Sequence, residues 1–297
     1  MSGRHTGEHH TARDHPPGDD LSRSPIGPLV PSSQIPPWMR RLTGNVEAVR
    51  ESVLGRGGDR HRWASVMGGR KRDAAVLVLI AGSWGSAPDH PGGLPSDADV
   101  LLIERASTLR QHSGQVAFPG GAMDPGDDYP IGTAMREATE ETGLLAEGVH
   151  VLANLPSFPV PVSGFDVMPV LAHWRTPGEV RVMDTGETAR VARVNLRTLL
   201  AAENRFQVQR NILGARAYRG PAFMVDGLLV WGFTGGLIAA ISEAAGWDVP
   251  WDATDVRPLD DAIAAAGSAQ TVGPAAVLSD AMHRLIEGGG HGEEERP

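Results

Sequence analysis

The chain has 297 residues with 27 Lys and Arg against 36 Asp and Glu, a net charge of −9, and no cysteine. Disulfides, thiolate metal sites and cysteine nucleophiles are therefore excluded, and a general nucleic-acid binder, which needs clustered basic residues, is not indicated. The longest apolar run, Ala74 to Ala81, is far short of the roughly 20 residues of a membrane helix. The His-rich start has no apolar signal segment, so a cytoplasmic, non-membrane protein is expected.

Residues 1–37 are rich in His, Pro, Gly, Asp and Ser and are expected to form a disordered tail, since they offer little surface to bury against the entropy of ordering. His5, His9, His10 and His15 are read as solvated. Trp38 to Leu54 has helical spacing. Strands are expected at Ala74 to Ala81 and Asp99 to Ile103, separated by a Pro/Gly/Asp-rich loop at Ser86 to Ser96, and a short one at Gln115 to Phe118. A helix follows from Pro130 to a stop at Gly143, with Asp127 and Asp128 placed to cap its first amides.

Further strand-like runs occur at His150 to Leu155, Phe165 to His173, Thr188 to Val194 and Phe223 to Val230. Helices are expected at Trp231 to Ala245, Leu259 to Ala266 and Ala275 to Ile286. Gly288 to Pro297 reads as a second disordered tail, leaving residues 38–287 as one domain. Strands on both sides of one central helix, with late helices added, predict an α/β or α+β sandwich.

The segment FPGGAMDPGDDYPIGTAMREATEETGL, from Phe118 to Leu144, is unusually dense in carboxylates. On a helix Glu137, Glu140 and Glu141 stand at i, i+3 and i+4, within about a 100° arc. Three acids so close repel one another, and a hard divalent cation, Mg²⁺ or Mn²⁺, is the natural neutraliser; such ions combine carboxylates with phosphate oxygens. Gly120 and Gly121 allow a sharp turn that brings a backbone carbonyl to the helix face as a further ligand. Arg136 can pair with Glu140 at i+4 and hold it in place. A metal-acidified water, with Glu137 as the favoured proton acceptor, would suit hydrolysis of a diphosphate.

This segment resembles the box of the Nudix hydrolases, G-x5-E-x7-R-E-U-x-E-E-x-G-U, with U aliphatic. Arg136, Glu137, Ala138, Glu140, Glu141, Gly143 and Leu144 match its second half. In the first half Asp127 takes the glutamate slot, and one extra residue separates it from Arg136. The resemblance implies an α/β/α sandwich with a mixed sheet plus additional C-terminal helices. It also implies Glu137, Glu140 and Glu141 as metal ligands with the Gly120 carbonyl beside them, and Glu137 as the residue that orients or deprotonates water.

Directly upstream, Leu101 to Gly121 is similar to the motif of the coenzyme A diphosphatase branch, L-L-T-x-R-[SA]-x3-R-x3-G-x3-F-P-G-G. Leu101, Leu102, Arg105, Ala106, Arg110, Gly114, Phe118, Pro119, Gly120 and Gly121 are in register, and Ile103 departs from it. Leu229 to Ile241 is similar to the W-G-x-T helix of the same branch. The resemblance implies hydrolysis of coenzyme A or its acyl derivatives to 4′-phosphopantetheine and adenosine 3′,5′-bisphosphate. Arg105 and Arg110 are suited to phosphate oxygens, and His112 to donating a hydrogen bond. Two alternatives stand beside this: another nucleoside diphosphate derivative, such as ADP-ribose or NADH, and a catalytically silent Nudix-like module. Glu187 is read as solvated, with approach to the metal as its alternative; Trp231 and Phe233 are read as packing against the sheet. Oligomeric state is left open.

Overall fold

Two long strands without a polar face set the architecture, because a strand apolar on both sides must be covered on both sides. The computed structural model describes residues 25–56, 72–107, 114–160, 164–212 and 215–266. The strands are β1 (Gly27–Pro28), β2 (Arg72–Ala81), β3 (Asp99–Arg105), β4 (Val116–Ala117), β5 (Gly120–Ala122), β6 (Val149–Asn154), β7 (Phe158–Val160), β8 (Phe165–Trp174), β9 (Thr188–Asn195), β10 (Arg205–Ile212), β11 (Ala215–Val225), β12 (Leu228–Val230) and β13 (Val256–Pro258). The helices are α1 (Arg40–Thr43), α2 (Val46–Arg56), α3 (Ile131–Thr142), α4 (Leu196–Leu200), α5 (Gly232–Ala245) and α6 (Leu259–Ala266).

β2 and β8 run parallel in register from Arg72↔Phe165 to Ala81↔Trp174. Around this pair a mixed sheet is ordered β1-β6-β8-β2-β3-β4, with β5 also on β2, β7 on β8 and β9 on β3. β10 to β13 form a second sheet in the order β12-β11-β10-β13. One face of the first sheet, through Leu77, Leu79 and Leu101, packs on Ala134 and Ala138 of α3. The other face, through Val78, Ile80, Val100 and Leu102, packs on Leu42, Val49, Leu237 and Ile241 from α1, α2 and α5. The fold is thus α+β, with helices on both faces of a mixed sheet, as expected.

Three readings need correction. Residues 25–37 are ordered: β1 pairs with β6 at Gly27↔Asn154 and Pro28↔Ala153, and Ile35 is buried. Their several prolines preset extended and turn geometry, which lowers the entropy lost on ordering. The run Phe223 to Val230 is two strands, turned at Asp226 and Gly227, both with positive φ. The strand Arg205–Ile212, RFQVQRNI, was not expected, since its amides and arginines hide the alternation of Phe206 and Val208, both buried. The tail residues 1–24, the helix expected at Ala275 to Ile286 and the tail at Gly288 to Pro297 lie outside the described residues.

Candidate active site

β2 is shared along one edge by two strands. Near its start Ala74, Ala75 and Val76 pair with Ala122, Gly121 and Gly120 of β5, and near its end Ile80 and Ala81 pair with Val100 and Asp99 of β3. In the fork between them Leu77 N donates to Pro119 O at 2.8 Å, so the Pro119–Gly121 turn is wedged into the sheet. Gly120 has φ +155°, and a Cβ there would lie 2.4 Å from Ala75 O. A Cβ on Gly121 would lie 2.5 Å from the carboxyl carbon of Glu137. Two glycines are therefore needed, one to approach the strand and one to admit the glutamate.

α3 presses its small residues Ala134 and Ala138 against the sheet and ends at Gly143, in the left-handed conformation with φ 66°. Gly143 N bonds Thr139 O at 2.8 Å, the stop expected from the sequence. The start differs from expectation. Pro130 is the cap residue and no side chain caps the helix. Asp127 instead accepts from Arg136 Nε at 3.1 Å and Nη2 at 2.9 Å, and from Thr133 Oγ1 at 2.8 Å. A bidentate charged pair outcompetes a cap for the same carboxylate.

The three glutamates of one helical face occupy three environments. The Glu140 side chain is 59% exposed, that of Glu137 19%, and that of Glu141 6%. Arg136 Nη1 donates to Glu137 Oε1 at 3.0 Å and Glu140 Oε2 at 3.1 Å, while Nη2 also reaches Ala122 O at 3.0 Å. The expected Arg136–Glu140 pair is present as part of this larger hub. The side-chain bond to Asp127 is the main reason the guanidinium holds its proton more tightly than usual, and the same bond keeps Asp127 well below the ordinary carboxylate range.

Glu141 points inward. Its Oε2 accepts from Gly120 N at 2.9 Å, and its Oε1 stands 3.9 Å from Arg105 Nη1. Burial pushes its pKa up to about 7 against the pull of the Gly120 amide and Arg105, with the charges of Glu137 and Glu187 adding to the rise. Burial also raises Glu137, which Arg136 opposes. Burial thus outweighs the neighbouring arginines at both carboxyls, and the donor set is all oxygen, which fits a hard divalent cation. As the side chains stand, no three His, Asp or Glu among the described residues converge on one point, because Arg136 draws Glu137 and Glu140 outward while Gly120 holds Glu141.

Arg105 closes β3, where its amide accepts a place in the ladder by donating to Gln115 O at 3.0 Å, and its carbonyl accepts from Gly114 N at 3.0 Å. Its Nε is buried and has no hydrogen-bond partner. Arg110 and His112, expected beside it, lie outside the described residues. Glu187 is exposed, yet its carbonyl accepts from Ala106 N at 2.8 Å and its charge is felt at Glu141, so the solvated residue also borders the site. Trp231 and Phe233 pack as expected, Trp231 edge-on to Tyr218 and Phe233 6.1 Å from Phe158. Sequence reasoning missed the Asp127–Arg136 fork, although Asp127 in the box's acid slot was its signal.

The NUDIX domain family model matches residues 86–213. A Nudix hydrolase NudL of Cronobacter sakazakii, itself uncharacterized, is 46% identical over 102 residues, which are 34% of this chain and 46% of that protein. The NudL of Photorhabdus laumondii is 33% identical over 144 residues, 48% of this chain and 75% of its own length. A NUDIX hydrolase crystal structure from Alicyclobacillus acidocaldarius superposes with a TM-score of 0.34 at 24% identity, covering 44% of this chain and 82% of that one. The chain spans about half the length of several curated relatives it matches, 46% for the Cronobacter protein. With its glutamate helix, its wedged glycine turn and these relatives, the chain belongs to the Nudix family.

Proposed function

We propose that this protein hydrolyses the diphosphate of coenzyme A or its acyl derivatives, with Mg²⁺ or Mn²⁺, giving 4′-phosphopantetheine or its acyl form and adenosine 3′,5′-bisphosphate. The observation that carries the reading is Arg105. It belongs to the Leu101 to Gly121 motif, stands 3.9 Å from Glu141 and keeps its side chain 31% exposed, so an anion brought to the glutamates meets a guanidinium beside them.

Glu137, Glu140, Glu141 and the Gly120 carbonyl are the residues to hold the cation. When bound, it would offset charge on the diphosphate oxygens and acidify a water. Glu137, raised by burial and steadied by Arg136, accepts the proton of the attacking water. Arg136 holds Glu137 and Glu140 in place through its tie to Asp127 and is a positioning residue. Arg105 binds phosphate oxygens, and Arg110 and His112 are assigned to the same work. A chain with net charge −9 needs such local donors to attract a polyanion.

The test is mass spectrometry of products from coenzyme A, dephospho-coenzyme A, ADP-ribose and NADH in ¹⁸O water with Mg²⁺. Coenzyme A should give the highest kcat/KM, one product should carry the label, and Glu140→Gln should remove metal-dependent turnover. Equal turnover of coenzyme A and dephospho-coenzyme A would refute the arginine assignment, and full activity in Glu140→Gln would refute the site.

A further inference from the structure

On the sheet face opposite α3, and toward the other end of β2 from the glycine turn, two histidines stand side by side. His150 of β6 and His173 of β8 are directly opposed in an antiparallel ladder, which places their Cβ atoms about 4.5–5.5 Å apart on one face. His173 is 2% exposed. Its Nε2 lies 3.1 Å from Gly82 O, and since a carbonyl only accepts, that nitrogen carries the proton. Its Nδ1 is therefore a bare lone pair, buried and without a hydrogen-bond partner. His150 has the matching defect: its Nε2 is also buried and without a partner.

Two adjacent rings, each with one unsatisfied nitrogen, are costly to bury unless something joins them. Metal-ligating histidines commonly donate the second ring N–H to a backbone carbonyl, and His173 does this toward Gly82. We propose that His150 Nε2 and His173 Nδ1 form a two-imidazole site for a borderline divalent cation such as Zn²⁺ or Cu²⁺, separate from the glutamates. Imidazole favours these ions over Mg²⁺. No third His, Asp or Glu joins the pair among the described residues.

The surroundings hold the rings in the ligating form. Trp38 and Trp84 stand edge-on to His173 at 6.2 and 6.1 Å. Burial is the main cause that lowers the proton affinity of both rings, and Arg175 adds to it. Arg175 also opposes a cation, which limits affinity; its own contacts are Gln34 O at 3.1 Å and the ring of Trp84 at 5.5 Å.

The experiment uses the full chain with His5, His9, His10 and His15 replaced by Ala, freed of metal by dialysis. Addition of Cu²⁺ should give an electron paramagnetic resonance spectrum with superhyperfine coupling to two nitrogens, a signature that carboxylates cannot give. Zn²⁺ at tenfold excess over its dissociation constant should raise Tm by about 3 °C or more. Both effects should vanish in His150→Gln, a partly exposed position where folding is retained, and Arg175→Gln should tighten binding. A two-nitrogen signal or a Zn²⁺ shift that survives His150→Gln, or no binding at all, overturns the site. Neither readout depends on hydrolysis, so the result is independent of the proposed reaction.

Discussion

Arg136, on Glu137 and Glu140, and Arg105, on Glu141, flank one cluster of glutamates and differ in how far they are engaged. Arg136 is saturated: it contacts Asp127, Glu137, Glu140 and the Ala122 carbonyl, every one within about 3 Å as hydrogen bonds of ordinary length. Among the described residues the Arg105 guanidinium has a loose ion pair at 3.9 Å and an unpartnered Nε. A guanidinium with all donors committed holds other side chains still, whereas one with donors to spare is available to a ligand. In the proposed function the same residue type thus does framework work on one side of the helix and recognition on the other, and spacing alone does not distinguish them.

The largest effect expected from this contrast is at Glu141, the acid that Arg105 only half compensates. Its folded pKa of about 7 exceeds the ordinary carboxylate value, so the folded chain binds a proton that the unfolded chain has released. Stability of the metal-free chain should be full below about pH 4.5 and fall as pH rises toward 7, by up to about 3 kcal/mol. Glu141→Gln should flatten that slope in urea melts with EDTA, and an unchanged slope would show that Glu141 does not titrate in this range.

Next comes the saturated arginine. Arg136→Met leaves Asp127 and Glu137 without their cation and should lower kcat by about 10²-fold, in line with other residues that orient metal ligands. Arg136→Lys keeps the charge but not the fork to Asp127, and should recover only part of the loss. Full recovery in steady-state kinetics would reduce Arg136 to a simple charge. Arg105→Gln should have the smallest effect, raising KM about tenfold with kcat little changed, as for loss of one charged hydrogen bond. A fall in kcat with KM constant would instead make it part of the metal site.

The parts of this molecule that were legible in the sequence are those set by local pattern. The apolar runs of β2 and β8, the stop at Gly143 and the Arg136–Glu140 pair all follow from residues within a turn or two of each other. What escaped depends on distant partners. Asp127 reads as a cap until the guanidinium nine residues on is seen to claim it. Glu137, Glu140 and Glu141 look alike on a helical wheel, and only the sheet beneath decides that Glu141 is buried and Glu140 is not. The strand Arg205–Ile212 is recognisable only through its partners β11 and β13.

The fork in β2 gives one strand two kinds of edge. Its β8 edge is zipped over ten residue pairs, from Arg72 to Ala81. Its other edge holds the Gly120–Ala122 segment by three pairs, and bonds from Leu77 N to Pro119 O, Gly120 N to Glu141 and Arg136 to Ala122 O tie the same turn to strand and helix. The glycine turn behaves as a plug in the sheet and not as a link in its chain of strands. Side chains forced into this turn would press on β2 and on the glutamate helix at the same time.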